Sequence, residues 1–400
     1  MNVKTKALIA LPIFMLTAWF GYSLYNYFFD MSPPTLEIVG IDEGGYYAGD
    51  VTCVVHGHDD YKVHDISVAL DNKVLVSHHK IQKSDFEYAF PVATKTIPNG
   101  KHVLKIELQD ASYRANKTIV EVPFLVDNTP LQAAFVKSES EKVFQGRTLH
   151  VQFQVNKEIA YAKVQALAQT FQCVPEAPNS LIYECFIPIK TDELPNEYLV
   201  SAEITDKVGN VLNLDSKFHV VMFPFKKQNL HVSKDKVAQE SAMGQSQRLL
   251  NDALEEISRN SVPRKLWQGA FYVPCDMKGM STDFGTVRVT QERGKYAHNA
   301  VDLLATPKSV IWAAQDGIVV HKERYAFSGN TIVVDHGIGV LTLYYHLDNF
   351  ADVEVGQMVK KGQPIGTLGM TGYASGYHLH WELRVNNIQV EPMQWTRHDF

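Results

Sequence analysis

The chain has 400 residues, 45% hydrophobic and 20% charged, with a formal net charge of -6. That composition excludes a disordered chain, and the length exceeds what one core organises, so roughly two to four domains are expected. Residues 264–400 carry 13 Lys+Arg and 13 Asp+Glu, so the whole negative excess lies upstream. Neither part has the basic footprint of a nucleic-acid binder.

The first element is an apolar run from Ala7 to Phe29, preceded by Lys4 and Lys6 and followed by Asp30. It is long enough to cross a bilayer, and Tyr22, Tyr25 and Tyr27 suit the interface. No small-x-small cleavage motif follows it. We therefore expect residues 1–30 to be a single-pass transmembrane anchor with a cytoplasmic N-terminus. A cleaved signal peptide is the competing reading, and both readings export residues 31–400.

Residues 33–224 carry recurrent strand-like runs such as Val51–Val55, Ile66–Leu70 and Val103–Leu108, punctuated by Gly, Asn and Asp at sandwich-like spacing. A weak internal repeat joins Pro98–Asp110 to Pro195–Asp206, each followed by a turn, an Asn (Asn116, Asn210) and a closing strand. The pattern resembles tandem immunoglobulin-like β-domains, 31–128 and 129–225, hinged near Asp127-Asn-Thr-Pro130. Such modules would serve as a spacer or a protein-partner surface. Cys173 and Cys185 flank a turn between two such runs, where a cross-strand disulfide suits an oxidising compartment. Cys53 reads as a buried thiol. His56-Gly-His58, with His64 and His78-His79, has no acidic residue at a ligand spacing and reads as solvated surface. From Lys234 the period changes. Leu249, Leu250, Ala253, Leu254 and Ile257 form one helical face, which makes 226–262 a helical connector, closed by Pro263.

The chemistry lies in residues 263–400. His378-Leu379-His380 follows a Gly-rich loop and opens an alternating apolar strand. Residues i and i+2 of a strand share a face, with backbones roughly 6–7 Å apart. Both imidazoles can then serve one metal, or one binds it and the other stands beside it; spacing does not decide. His298 and Asp302 are four apart. In a straight strand they would share a face but stand about 13 Å apart, too far for one metal. The chain must bend between them, and Asn299-Ala300 allows this. Two histidines and a carboxylate would fill three positions of a zinc tetrahedron, leaving the fourth open, as in a catalytic site. A third element, Gly329–Leu347, reads as a hairpin turning at His336-Gly-Ile-Gly339 and delivering His346. Asn330 reads as a turn residue, Glu382 as a solvated strand-end charge, and Tyr344 and Tyr377 as cleft or packing residues.

Residues about 264–396 resemble the lysostaphin-type (LytM) zinc metallopeptidases of the M23 family. The motifs that carry the resemblance are His298-x-x-x-Asp302, the hairpin from Gly329-Asn330 to His346, Val355-Gly-Gln-Met-Val-Lys-Lys-Gly-Gln-Pro-Ile-Gly366 and Gly376-Tyr-His-Leu-His380. The resemblance implies that His298, Asp302 and His380 bind Zn2+ and that His346 and His378 lie over the open position as catalytic residues. It also implies peptidoglycan as substrate, cut within stem or cross-link peptides. Ala300 departs from the family's usual Gly.

The expected protein is mainly β: an N-terminal transmembrane helix, two immunoglobulin-like β-sandwiches, a connecting helix and a C-terminal antiparallel M23 domain. Its expected role is that of a zinc endopeptidase of the inner membrane with a periplasmic or cell-surface body. A non-catalytic wall scaffold or hydrolase activator is the alternative, and an exported protease cutting proteins a third reading.

Overall fold

The computed structural model describes residues 3–137, 141–229, 243–290 and 294–398, with backbone alone for 3–14 and 290. The chain divides into two compact units, Met1–Pro130 with Lys207–Gly209, and Leu131–Asp206 with Asn210–Phe400.

The first unit opens with helix α1 (Val3–Phe29) and continues through β1 (Thr35–Val39), β2 (Tyr46–Tyr47), β3 (Val51–Leu70), β4 (Lys73–Val92), β5 (Gly100–Asp110) and β6 (Lys117–Val126). These strands form one six-stranded sheet in the order β1-β3-β5-β6-β2, with β4 also on β3. β3 pairs β4 along one edge. Its other edge pairs β1 up to His58 and β5 from Val63 onward. Alternation along β3, β5 and β6 turns Val55, Ile66, Leu104, Ile106, Leu108 and Phe124 into one core.

Two expectations find no support here. The immunoglobulin-like reading of 31–128 required two facing sheets. Here the strands form one sheet, with the two 20-residue strands paired along most of their length. Among the described residues no helix is long and apolar enough to cross a membrane. The backbone of 3–29 is helical, but the anchor expectation falls partly on 3–14, whose side chains lie outside the described residues.

The second unit begins with β7 (Ala133–Phe135), β8 (Glu141–Phe144), β9 (Thr148–Val155), β10 (Ile159–Ala166), β11 (Gln169–Gln172), β12 (Val174–Pro175), β13 (Ile182–Pro188), β14 (Glu197–Asp206) and β15 (Val211–Val221). They make two sheets, β11-β10-β14-β15-β8 and β12-β13-β9-β7, around a core that includes Phe153, Val164, Phe171, Ile187, Ile204 and Phe218. Cys173 and Cys185 meet here as free, buried thiols within hydrogen-bonding reach of one another. Cys53 is a buried thiol, as expected.

Then come β16 (Lys227–Asn229), α2 (Gly244–Arg259), β17 (Gly279–Thr282), β18 (Thr286–Thr290), β19 (Gly294–His298), β20 (Val301–Leu304), β21 (Val310–Trp312), β22 (Gly317–Tyr325), β23 (Gly329–Asp335), β24 (Val340–Leu347), β25 (Met358–Val359), β26 (Pro364–Thr367), β27 (Leu379–Val385), β28 (Ile388–Val390) and α3 (Pro392–Trp395). The main sheet runs β17-β20-β27-β24-β23-β22-β25, with β28 on β27. Both faces of β24 are buried. Val340 and Tyr344 join one core with Trp381 and Leu383, while Leu341, Leu343 and Tyr345 lie under Leu250 and Leu254 of α2. The helix thus covers the sheet with the stripe expected, except that Leu249 is exposed. Connector residues 230–242 lie outside the described residues.

The two-sheet region and the main sheet share a core. Phe186 of β13 packs on Trp267 and Trp395 with ring centroids 5.6 and 5.3 Å away. The Trp395 indole N–H donates to Thr148 Oγ1 at 3.0 Å. Beside them the buried Glu184 accepts from Lys265 at 2.6 Å and from His150 at 2.8 Å. A buried carboxylate held by two donors is costly to disrupt, so this contact is fixed in one geometry. We predict that Trp395→Ala destabilises this unit by about 3–5 kcal/mol. Hydrogen exchange should then rise in both 148–188 and 379–398. Protection lost in only one of the two segments would contradict a shared core.

Candidate metal centre

Register assembles the site. β20 and β24 flank β27, and Asp302 and Tyr345 both stand opposite His380. Residues opposite one another in a sheet share a face, so this row puts a carboxylate, an imidazole and a phenol on one side. His298 is the last residue of β19, and the chain bends at Asn299-Ala300 before β20. The bend required by the four-residue spacing is therefore present. Ala300 is fully buried and is not among the residues of positive φ, so it fits without the freedom of glycine.

Three donor atoms converge. His298 Nε2 lies 3.2 Å from His380 Nδ1 and 3.1 Å from Asp302 Oδ1, and His380 Nδ1 lies 3.0 Å from Asp302 Oδ1. Two bare imidazole nitrogens and a carboxylate oxygen this close repel unless a cation or a shared proton joins them. A tetrahedral zinc with bonds of about 2.0–2.1 Å needs its ligand atoms about 3.3 Å apart. The triangle has nearly that edge, and its N2O donor set is one zinc accepts, so the residues fit the ion.

The neighbours orient these donors. Glu382 is buried, not solvated as its place near a strand end suggested. Its Oε1 accepts from His380 Nε2 at 3.3 Å, while Oε2 takes Arg384 at 2.7–2.8 Å and Gln389 at 3.1 Å. Glu382 thus holds a proton on His380 Nε2 and leaves Nδ1, toward the triangle, as the ligand nitrogen. The Tyr345 ring stacks on His380 at 5.1 Å. Arg288 Nη2 reaches the outer Asp302 oxygen at 3.5 Å. Neither Tyr345 nor Arg288 was signalled by a motif.

His346 and His378 stand beside the triangle, with ring centroids 4.8 Å apart. His378 Nε2 lies 3.8 Å from Asp302 Oδ1. The His346 Nδ1–H donates to the Thr371 carbonyl at 2.8 Å, and the His378 Nδ1–H to the Gly376 carbonyl at 2.9 Å. When neutral, each ring therefore carries its lone pair on Nε2. His346 has φ 61°, a strained value for a non-glycine residue at the end of a strand. The turn takes it out of the strict alternation that would send it into the core after Tyr345. Thr371 holds this corner. A side chain at Gly329 would strike its carbonyl, and its hydroxyl donates to Leu347 and accepts from the Asn330 N–H. Asn330, read as a turn residue, lies instead within β23, and its amide donates to the Leu347 and Asp348 carbonyls. Tyr344 is core, its hydroxyl bonded to the Ala314 N–H. Tyr377 is exposed. His56 and His58 lie on β3, exposed beside Glu87 and Asp85, as expected of a solvated surface.

Charge follows the geometry. Burial works against the Asp302 charge, but His298 and His380 hold its carboxyl far below the usual range. Burial likewise opposes a charged His380, yet Asp302 and Glu382 carry it up to about 9. Burial pushes His298 down, and it pushes His346, with the charges of His380 and His378, down to about 3. Glu382 sits at about 2: burial raises it, and Arg384 and His380 outweigh that.

Residues 296–392 match Peptidase family M23. The peptidoglycan DD-endopeptidase ShyC of Vibrio cholerae is 39% identical over 120 residues, which is 30% of this chain and 28% of that protein. The DD-carboxypeptidase/endopeptidase Mpg of Neisseria meningitidis is 38% identical over 96 residues, 24% of this chain and 22% of that one. The chain thus spans less than a third of the length of these relatives. A solved structure assigned to peptidase M23 from Pseudomonas aeruginosa overlies 63% of this chain and 94% of its own, with 22% identity and a TM-score of 0.48.

Two measurements check the geometry without an activity assay. A metal at His380 Nδ1 must displace the proton that the metal-free site holds below about 9. Zn2+ affinity should therefore rise about tenfold per pH unit from 7 toward 9, with about one proton released at pH 7 in calorimetry. Affinity flat over that range would contradict the assignment. Glu382→Gln keeps an acceptor and loses the charge, so Zn2+ affinity should fall about 10–100-fold.

Proposed function

With residues 296–392 forming an M23 peptidase domain, we propose that the chain is a zinc-dependent endopeptidase hydrolysing peptide bonds in peptidoglycan stem or cross-link peptides. The observation that carries this reading is the triangle of His298 Nε2, Asp302 Oδ1 and His380 Nδ1 with two further imidazoles beside it. A structural zinc would be closed by a fourth protein ligand, whereas three donors leave a position for water or substrate.

In this reading His298, Asp302 and His380 hold the ion. A zinc ion held there supplies Lewis acidity, which acidifies a water and polarises a carbonyl oxygen. The remaining work belongs to the chain. Glu382 holds the His380 proton away from the ligand lone pair, and Arg384 and Gln389 hold Glu382. His346 and His378 are fixed by carbonyls behind them, so Nε2 of each is the nitrogen available to the reacting peptide. The two share the taking of a proton from the attacking water, its return to the leaving amine nitrogen and the hydrogen bond to the developing oxyanion. His346 is held neutral, which suits a group that must accept before it donates.

The relatives named as DD-endopeptidases support a bond flanked by D-configured residues, and a substrate outside the cytoplasm. The apolar run from Ala7 to Phe29 supports a membrane tether for residues that act beside the wall. The upstream β regions would serve as spacer or partner surface.

The test is incubation of the zinc-loaded chain with purified cross-linked muropeptides, products being read by mass spectrometry. The expected result is cleavage within the peptide that a chelator stops and that His378→Ala lowers by about a hundredfold or more. A folded, zinc-loaded protein that leaves muropeptides intact would overturn the enzyme reading in favour of a wall scaffold or hydrolase activator. Preferential cutting of ordinary L-peptides would overturn the substrate.

A further inference from the structure

A second convergence of ionisable groups lies in the first unit, at the end of α1. Asp30 follows the helix directly. Asp59 sits where β3 lacks a β4 partner, between the pairs at His58 and Val63. Asp110 ends β5. These three come from distant parts of the chain, yet one carboxylate oxygen of each lies within 4.8 Å of the others. Asp59 and Asp110 are 3% and 1% exposed, and Asp30 is half-buried.

The hydrogen bonds leave a specific deficit. Asp110 is satisfied: Oδ1 accepts from the Ser112 N–H and hydroxyl at 3.1 and 2.9 Å, and Oδ2 from Asn116 at 2.7 Å. Asp30 and Asp59 each use Oδ1 alone, for the N–H groups of Ser32 and Tyr61 at 3.0 and 2.9 Å. Oδ2 of both is buried without a partner. Among the described residues no Lys, Arg or His forms an ion pair with any of the three. Carboxylates this close and this buried repel one another unless a positive charge joins them.

The repeated motif in the second unit provides an internal comparison. Asp206 and Asn210 reproduce the turn of Asp110 and Asn116. In each case the Asp N–H donates to the Asn carbonyl at 3.0 Å, and the Asn amide donates to Asp Oδ2, at 3.0 and 2.7 Å. There the Lys157 ammonium lies 2.7 Å from Asp206 Oδ2 and supplies the charge from within the chain. In the first copy, two more carboxylates face the same aspartate.

We propose that Asp30, Asp59 and Asp110 form a calcium site that fastens the end of α1 to the sheet of the first unit. The donors are all oxygen, which selects a hard cation over zinc or copper. Three protein carboxylates suit calcium, which takes six to eight oxygens in flexible geometry, better than magnesium, which keeps its waters and binds one or two carboxylates. The joint is already outlined: the Tyr113 N–H donates to the Tyr27 carbonyl at 2.8 Å, and the Tyr27 ring packs edge-on to Tyr61 and Tyr113. The ion would set the direction in which the unit leaves the helix.

The experiment is a calcium titration of the full-length, zinc-loaded protein by calorimetry, with terbium luminescence sensitised by the nearby tyrosines as a second readout. We expect one saturable site of about 10⁻⁴–10⁻³ M, the range of extracellular modules. Asp59→Asn should abolish it while raising the melting temperature of the calcium-free protein, because it removes repulsion. Asp59→Lys should melt independently of calcium. Asp30→Asn, at the less buried ligand, should weaken binding about tenfold and leave the fold intact. The exposed Asp60→Asn should bind as wild type. Absence of saturable calcium binding by the wild type, or undiminished binding by Asp59→Asn and Asp30→Asn, overturns the proposal.

Discussion

The site depends on one cross-strand row. Asp302, His380 and Tyr345 stand opposite one another on three adjacent strands. A slip of one residue at either pairing would turn the carboxylate or the imidazole into the core. What prevents the slip is the opposite face. Leu379, Trp381 and Leu383 alternate with His380 and Glu382 and are fully buried. The hydrophobic pattern of β27 therefore fixes the position of the donor atoms, and the bend at Asn299-Ala300 brings His298 to meet them.

Two kinds of strain are held by this framework. One is electrostatic: four imidazoles, two carboxylates and two guanidiniums are gathered with little access to water. Their charges are ordered by contact, with Asp302 and Glu382 ionised on either side of His380 and His346 kept neutral. The other is conformational, in the positive φ of His346, which Thr371 holds from behind. A neutral imidazole with one nitrogen anchored is a directed acceptor, and strain at such a residue is tolerated where the surroundings over-determine it. Covering both faces of β24, with α2 on one side and the shared core on the other, makes that corner stiff.

Much of this centre was legible in the sequence because its logic is local. The spacing of His298 and Asp302 required a bend, and the bend is there. The period of two put His378, His380 and Glu382 on one side. Burial of Glu382 was not legible, because the groups that satisfy it, Arg384 and Gln389, only make sense once β28 has folded back on β27. Tyr345 and Arg288 were missed for the same reason: their roles are set by register across strands. The first β region misled differently. Its short apolar runs looked like separate strands of two sheets, but Asp59–Lys62 interrupts one long strand without ending it. The polar residues that resembled a turn there include an aspartate turned inward. Cys173 and Cys185 were correctly read as neighbours, yet thiol pairing depends on chemistry that spacing does not carry.

The most direct test of the account is X-ray absorption of the zinc-loaded, full-length protein. The geometry predicts a first shell of nitrogen and oxygen alone at about 2.0–2.1 Å, with the outer-shell signature of two imidazoles. In Asp302→Ala the light-atom shell should lose occupancy. A sulfur scatterer at about 2.3 Å would place the metal among the buried cysteines, and a signal from one imidazole would break the triangle. Either result would contradict the assignment of His298, Asp302 and His380.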